Sequence, residues 1–263
     1  MSSSSGKIEF HSSHTFSATI WKTLADEQAN LIFIESRDSE ARRVTFSAWD
    51  LERNMFLWEN VEFDEKWWIS LGYVSHGMLL FTLYTDTNNP EKKSVIAFDI
   101  QTREVKWWKN NFVIASVSGG LIAGHDTKFG SREVCLEIAS GTEAPDVKIE
   151  FQLQNFKLIR PLQYIQGTDH FESVKSFLER KCSFSPVHVV EYCEYHSLIL
   201  ISAFTGQTDL ANYLIVFNSE GDRVLKEQLG ENLKGIAYDT FFILSGFLIF
   251  VKNKRELISY RFV

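Results

Sequence analysis

Two tryptophans and one charged pair have the types and spacing that could recognise a ligand. Trp67 and Trp68 are adjacent, so on a strand their rings point to opposite faces and at least one could stack on a ligand. Glu35 and Arg37 lie two residues apart, so they share a strand face and could form a ligand-binding ion pair. Each feature also has a structural interpretation: the tryptophans could pack between sheets, and the charged pair could be a structural salt bridge. We favour the structural interpretation for both. These four residues and His170 are the ligand-binding candidates.

No complete catalytic or metal-binding motif occurs in the sequence. The G-x-S-x-G, G-x4-G-K-[ST] and HExxH patterns are missing. His11 with His14, and Cys193 with His196, are incomplete sets, because a structural zinc needs four ligands. We therefore expect no metal and no cofactor. Five carboxylates near predicted inner strands could include a hydrolytic pair, but their spacing selects no two of them: Asp64, Glu65, Asp169, Glu191 and Asp239.

Charge and composition exclude several classes of protein. The net charge of -7, without any long Lys/Arg run, argues against nucleic-acid binding. The longest apolar stretch, residues 241–251, is far shorter than the ~20 residues of a membrane span. Three cysteines without CxxC spacing and a polar, Ser-rich N-terminus favour a reducing compartment without export. We expect a cytoplasmic, monomeric bacterial protein, and its 14% aromatic residues favour strands.

A turn followed by a continuous apolar run recurs five times. A run of this kind predicts a strand that is buried on both faces. The four intervals between run starts are 47, 43, 77 and 49 residues, so only the third is long. The runs are Leu31–Ile34, Met78–Phe81, Leu121–Ala123, Leu198–Ile201 and Phe247–Phe250.

A second signal follows the first two runs. Asp50 and Asp99 each end an apolar strand, and Trp58 and Trp107 follow eight residues later. An Asp at a strand end can accept hydrogen bonds from its own backbone and start the next turn. We expect each Trp, on a fourth strand, to fill the gap between neighbouring sheets. Units of ~40–45 residues built in this way predict four-stranded propeller blades.

The fold class expected from these units is an all-β, five-bladed β-propeller. The long third interval contains one predicted helix, His170–Lys181, with Asp169 as N-cap and Glu172 completing a capping box. We interpret it as an insertion, and a degenerate sixth blade at residues 147–165 is the alternative. A single domain is expected over residues 1–263, with residues 1–10 as a flexible tail. The strand at residues 15–22 would pair with the C-terminal strand at 258–260 and close the ring.

Two resemblances rest on these residues. The strand-Asp-x7-Trp arrangement at Asp50/Trp58 and Asp99/Trp107 resembles the repeats of quinoprotein-like β-propellers. Arg53 and Arg103 stand near the place of that family's glycine, so the resemblance concerns architecture and implies no quinone cofactor. The whole chain also resembles an uncharacterised bacterial family known only as a domain of unknown function, and this resemblance implies no activity. The segments that carry it are Glu35–Arg37, Trp67–Trp68, His170–Phe171 and Tyr238–Phe242.

The sequence does not determine the function. We expect a non-enzymatic recognition or scaffold module that binds an unknown protein or small-molecule ligand on one ring face. The alternative is a carbohydrate-directed hydrolase or lectin that uses channel carboxylates, with Trp67 and Trp68 as a sugar platform.

Overall fold

The computed structural model describes residues 6–86, 88–89, 91–144 and 157–263. The chain forms two compact units, one of Met1–Ile20 with Phe156–Val263 and one of Trp21–Asn155. In the described residues the elements are 21 strands and one α-helix, and the strand pairs are antiparallel. The all-β prediction is confirmed. The single domain stays a prediction. The five-bladed ring also stays one, because five separate sheets do not by themselves show a closed ring.

The unit Trp21–Asn155 contains three sheets, each a meander in chain order. They are β2-β3-β4-β5, β6-β7-β8-β9 and β10-β11-β12. The strands are β2 (Thr19–Asp26), β3 (Leu31–Asp38), β4 (Arg43–Asp50), β5 (Met55–Val61), β6 (Ile69–Ser75), β7 (Met78–Tyr84), β8 (Lys93–Asp99), β9 (Glu104–Lys109), β10 (Phe112–Ser118), β11 (Leu121–Asp126) and β12 (Arg132–Glu137).

The other unit contains two sheets and the helix. The sheet orders are β14-β15-β16-β17-β18 and β1-β21-β20-β19-β13. The elements are β1 (Ile8–Thr15), β13 (Leu158–Ile159), β14 (Leu162–Ile165), α1 (Asp169–Cys182), β15 (Val187–Tyr195), β16 (Leu198–Thr205), β17 (Leu210–Phe217), β18 (Arg223–Leu233), β19 (Phe241–Leu244), β20 (Phe247–Lys252) and β21 (Glu256–Phe262).

All five apolar runs form strands with a hydrogen-bonded neighbour on each side. These strands are β3, β7, β11, β16 and β20, and each begins at the residue where its run begins. Four of them follow a two-residue turn in which both residues have positive φ, the geometry that matches the twist of a β-hairpin. The turn residues are His76-Gly77, Gly119-Gly120, His196-Ser197 and Ser245-Gly246. The turn and the apolar run together therefore fix the register of these hairpins.

The Asp and Trp signals also have the predicted roles in the unit Trp21–Asn155. The Asp99 carboxylate accepts hydrogen bonds from the backbone N–H groups of Gln101 and Thr102, at 2.9 and 2.8 Å. The indole N–H of Trp58, on β5, donates to the carbonyl oxygen of Ile100 at 3.1 Å, just after β8 of the next sheet. Trp107 repeats this contact with the carbonyl oxygen of Ile138 at 2.9 Å. Each Trp thus packs between successive sheets and satisfies its only polar group there.

The N-terminal strand pairs with the C-terminal one, but the predicted residues were wrong. Strand β1 (Ile8–Thr15) pairs with β21, and the hydroxyls of Ser12 and Ser259 are 2.6 Å apart. Residues 19–26 instead form β2, the first strand of the next sheet. The expected flexible tail is likewise wrong for residues 8–10, which belong to β1. A polar sequence is compatible with an edge strand that has one face in solvent. The polarity of this segment therefore wrongly indicated a flexible tail instead of a strand.

The helix is confirmed, but its cap lies one residue earlier than predicted. Thr168 is the N-cap, and its hydroxyl accepts from the N–H of Phe171 at 3.3 Å. Asp169 begins the first turn, where its negative charge favours the positive end of the helix dipole. The alternative of a sixth blade at residues 147–165 falls largely outside the described residues. Its described part supplies single edge strands, β13 and β14, to two existing sheets.

Candidate functional site

Glu35 and Arg37 lie on the same face of β3 and form an ion pair. The Nε of Arg37 donates to Oε1 of Glu35 at 2.7 Å. Its two other nitrogens donate to the carbonyl oxygens of Trp67 and Ile69, at 2.9 and 2.8 Å. Arg37 therefore ties β3 to the start of β6 in the neighbouring sheet.

Glu35 is fully buried, and both of its oxygens have donors. Oε2 accepts from the hydroxyl of Ser70 at 2.7 Å and from the backbone N–H of Leu71 at 2.8 Å. A buried carboxylate is stable only when it is paired and hydrogen-bonded in this way. Both members of the pair are hydrogen-bonded to other residues of the protein, which supports the structural interpretation of the pair.

The tryptophans near this pair have different environments. The guanidinium carbon of Arg37 lies 5.5 Å from the ring centre of Trp21 and 5.1 Å from that of Trp67, within cation–π range. Trp67 packs against the core, whereas Trp68 is 38% exposed and Trp21 is 67% exposed. Glu35, Arg37 and Trp67 thus form one cluster, called here the Arg37 cluster, and Trp68 lies beside it. No residue spacing in the sequence indicated that Trp21 also contacts Arg37.

A polar cavity of about 240 Å³ lies next to this cluster. Lys22, on β2, donates from Nζ to the carbonyl oxygen of Leu71 at 2.6 Å. Burial lowers the pKa of Lys22, and the negative charge of Glu35 partly offsets this effect. The cavity is lined by Lys22, Ser70, Leu71, Gly72, Tyr73, Thr82, Tyr84, Lys93, Phe112, Val113 and Ile114.

Lys93 supplies a second ammonium group to the same cavity. It lies at the start of β8, and its Nζ is 5.4 Å from the ring centre of Tyr84. Lys93 forms no ion pair with any residue that the structure describes. Two cations and several hydroxyl groups can bind an anion that also carries hydrogen-bonding groups.

Gly72 forms part of the cavity wall at a β-bulge in the pairing of β6 with β7. A Cβ atom at this position would lie 2.8 Å from the carbonyl oxygen of Leu80. Any larger residue would therefore push the two strands apart at the cavity. Sequence reasoning missed this site, because its lining residues come from five strands of three sheets.

His170, the remaining candidate, belongs to the other compact unit. It lies in the first turn of α1, and its ring stacks on Tyr164 with the ring centres 4.9 Å apart. It lines a separate, largely apolar cavity with residues of β14, β15 and β16. His170 and the Arg37 cluster are thus candidates for two different sites.

Glu191, one of the carboxylates considered for hydrolysis, is buried on β15. Its oxygens accept from the backbone N–H groups of Asp239 and Thr240 and from the Thr240 hydroxyl. Burial raises the pKa of Glu191, and these hydrogen bonds only partly counteract the increase. Asp239 in turn pairs with Arg160, at 3.2 Å. These contacts join the two sheets of this unit.

We expect the stability of this unit to depend on the ionisation of Glu191. Because its pKa is raised on folding, Glu191 stabilises the fold most below the ordinary value of 4.5, and this contribution is lost as pH rises through the raised value. The free energy of unfolding of wild type, minus that of Glu191→Gln, should therefore fall as the pH rises from 4.5 through the raised pKa. The fall amounts to about 1.4 kcal/mol per pKa unit. Denaturant titrations at several pH values would measure it, and a difference that grows with pH would contradict the prediction.

The described residues hold no group of three His, Cys, Asp or Glu side chains placed to bind a metal ion. In the same residues, no helix is long and apolar enough to cross a membrane.

One known family matches the part of the chain that contains the Arg37 cluster. Residues 25–107 match a family of unknown function. Its description is Domain of unknown function (DUF4905), and the matched part is less than half of the chain. The match includes Glu35, Arg37, Trp67 and Trp68, so the predicted resemblance to a domain of unknown function is confirmed for this part. The bacterial origin and the quinoprotein-like repeats stay predictions.

Two solved structures are similar to the chain at low identity. One is BamB from Moraxella catarrhalis, with a TM-score of 0.39 and 10% identity, over 97% of this chain and 100% of that chain. The other is described as the eukaryotic initiation factor, with a TM-score of 0.35 and 9% identity, over 92% of this chain. The chain spans about half of that second protein, 52% of its length. No curated protein matches the chain.

Proposed function

We propose that this chain is a non-enzymatic recognition module that binds a small anionic ligand in the cavity of Lys22 and Lys93. One observation carries the proposal: two lysines and several hydroxyl groups line the cavity, and no carboxylate does. The five-bladed propeller expected from the repeats is the architecture in which we place this module. The same hypothesis includes that the protein is cytoplasmic and monomeric.

The local charge favours an anion. The chain carries a net charge of -7, so a cavity lined by two lysines is a positive site on an acidic protein. Keeping Lys22 partly buried costs free energy, because burial disfavours its charged form. A bound anion would offset that cost, and charge-assisted hydrogen bonds to the two ammonium groups would hold it. The volume corresponds to about eight waters at roughly 30 Å³ each, enough for a sugar acid.

The hydrolase alternative has little support from the cavities. A glycoside hydrolase needs two carboxyl groups facing one substrate site. The cavity of Lys22 and the cavity of His170 have no carboxylate in their lining, and a third, beside His188, has only Glu172. Among the carboxylates considered, Glu65 accepts the N–H groups of Trp67 and Trp68, and Glu191 is occupied as described above. A lectin platform on Trp67 would have to displace Arg37 from its ring.

The variant Lys93→Gln tests the anion site. We expect wild type to bind glucuronate or phosphate and to bind uncharged glucose far more weakly, with an affinity for the anion that falls as salt is added. Loss of one charge-assisted hydrogen bond costs about 1.5–3 kcal/mol, so Lys93→Gln should weaken anion binding roughly 10- to 150-fold. Isothermal titration calorimetry would measure these affinities.

Lys128→Gln is the matched control for this experiment. It removes the same charge from the same unit, but Lys128 lies over the exposed ring of Phe129 and does not line the cavity. Its anion affinity should equal that of wild type. Equal affinities of wild type and Lys93→Gln, or no binding of either anion by wild type, would refute the proposed site.

A further inference from the structure

The cavity that contains His170 has a different character from the lysine cavity. Its volume is about 330 Å³, within the range of small-molecule sites. It lies between α1 and the sheet of β14–β18. The lining residues are Tyr164, His170, Ser173, Val174, Phe177, Tyr192, Ile199 and Ile201.

Three of the lining rings form a set in which Tyr164 contacts both His170 and Tyr192. Tyr164 and His170 stack with centres 4.9 Å apart and planes 27° apart. Tyr164 and Tyr192 are 6.0 Å apart at the centres, with planes 33° apart. These spacings leave no room for a further ring between them, so a planar ligand would lie against the set. Aromatic rings pair favourably in offset-stacked or edge-to-face arrangements, so the rings of the set also offer contacts to an aromatic ligand.

Contacts outside the cavity hold the rings in place before any ligand arrives. The hydroxyl of Tyr192 donates to the carboxylate of Glu194. Phe177 packs edge-on against Phe217, with ring centres 4.9 Å apart. Phe171 and Leu178 are fully buried and fix α1 on the sheet. Because these groups are already ordered, ligand binding would cost little conformational entropy.

The lining contains no Asp, Glu, Lys or Arg side chain. Burial, together with the neighbouring carboxylate of Glu194, raises the pKa of Tyr192 well above its ordinary range, so its phenol keeps its proton. Ile199 and Ile201 complete an apolar wall, where a charged ligand would lose its hydration without gaining a partner. The site therefore favours a neutral ligand.

We propose that this cavity is a second binding site, which takes a small, neutral, planar aromatic molecule packed against the rings of Tyr164 and His170 and the apolar wall of Ile199 and Ile201. The site is independent of the anion site in its residues, its compact unit and its ligand chemistry. Its occupant would be recognised by contacts with aromatic rings and apolar side chains rather than by charge.

The proposal can be tested with 5-fluoroindole as the probe, by fluorine NMR titration of the full chain. Ser173 is exposed at the rim of the cavity, so Ser173→Trp would place an indole over the site without changing a buried residue. Wild type should bind the probe with a dissociation constant of about 1 mM or below. Ser173→Trp should weaken binding at least tenfold.

Ser176→Trp is the matched control, because Ser176 is also exposed on α1 but does not line the cavity. It should bind 5-fluoroindole like wild type, and so should Lys93→Gln, which separates this result from the test of the anion site. Absence of probe binding by wild type would overturn the proposal. So would binding by Ser173→Trp within threefold of wild type, or equal losses in Ser173→Trp and Ser176→Trp.

Discussion

Replacing Arg37 with methionine should lower the free energy of unfolding by about 3–5 kcal/mol, the cost of leaving a buried charge without its partner. Glu35 has no solvent exposure, so water cannot replace the lost guanidinium. The carbonyl oxygens of Trp67 and Ile69 would lose their donors in the same substitution. Urea unfolding followed by circular dichroism would measure the change.

The exposed pair of Arg43 with Glu62 supplies the control. Arg43→Met removes the same kind of charge from the next strand, β4, but its guanidinium is in solvent. Exposed ion pairs contribute little, because water and salt screen them, so this variant should unfold almost like wild type. Equal unfolding free energies for Arg37→Met and Arg43→Met would show that the Glu35–Arg37 pair does not stabilise the fold.

The double variant Glu35→Gln/Arg37→Met separates the charge from the packing. The neutral amide leaves no uncompensated carboxylate, so we expect it to recover at least half of the loss in Arg37→Met. Its oxygen can still accept from Ser70 or Leu71. If the double variant is less stable than Arg37→Met, the hydrogen bonds of Glu35 matter more than its charge.

The sequence predicted the strands well where local chemistry determines the backbone. Turn residues such as His76-Gly77 adopt positive φ before an apolar run, and the strand starts where that run starts. Asp99 and Trp107 likewise act through contacts that their own side chains define. The position of the N-terminal strand could not be predicted in this way, because residues 8–15 and 19–26 both alternate well enough to form a strand. Only the pairing with β21 distinguishes them.

The candidate site was predictable only in part, for a similar reason. Glu35 and Arg37 share a strand face at a spacing that the sequence shows directly, and their contact is local. Lys22, Tyr84 and Lys93 come from two different sheets, and no spacing in the sequence relates them. The candidate cavity therefore emerges from the packing of sheets, whereas the ion pair emerges from one strand.

Removal of residues 1–15 should destabilise the chain severely and make it aggregate. Strand β1 pairs with β21 through seven residue pairs. At about 0.5–1.5 kcal/mol for each net hydrogen bond, loss of this ladder costs on the order of 5 kcal/mol, comparable with the whole stability of many domains. Unfolding titrations and size-exclusion chromatography of the truncated chain would measure both effects.

Aggregation is expected because the truncation turns β21 into an edge strand. Its Leu257 and Ile258 are buried, and its backbone would present unpaired N–H and C=O groups to other molecules. A chain without β1 would leave that edge to water or to pairing with another chain, and only pairing would also cover its apolar residues. The oligomers should therefore become more abundant as the protein concentration rises.

Ser12→Ala separates the strand from its side-chain contacts. It keeps the β1 backbone and removes only the hydroxyl pair with Ser259, so the loss should be about 1 kcal/mol and the variant should stay monomeric. A truncated chain that remains monomeric and as stable as Ser12→Ala would mean that β21 tolerates a free edge. The pairing of the two ends would then contribute nothing to the fold, and the sheet of β19–β21 would be stable on its own contacts.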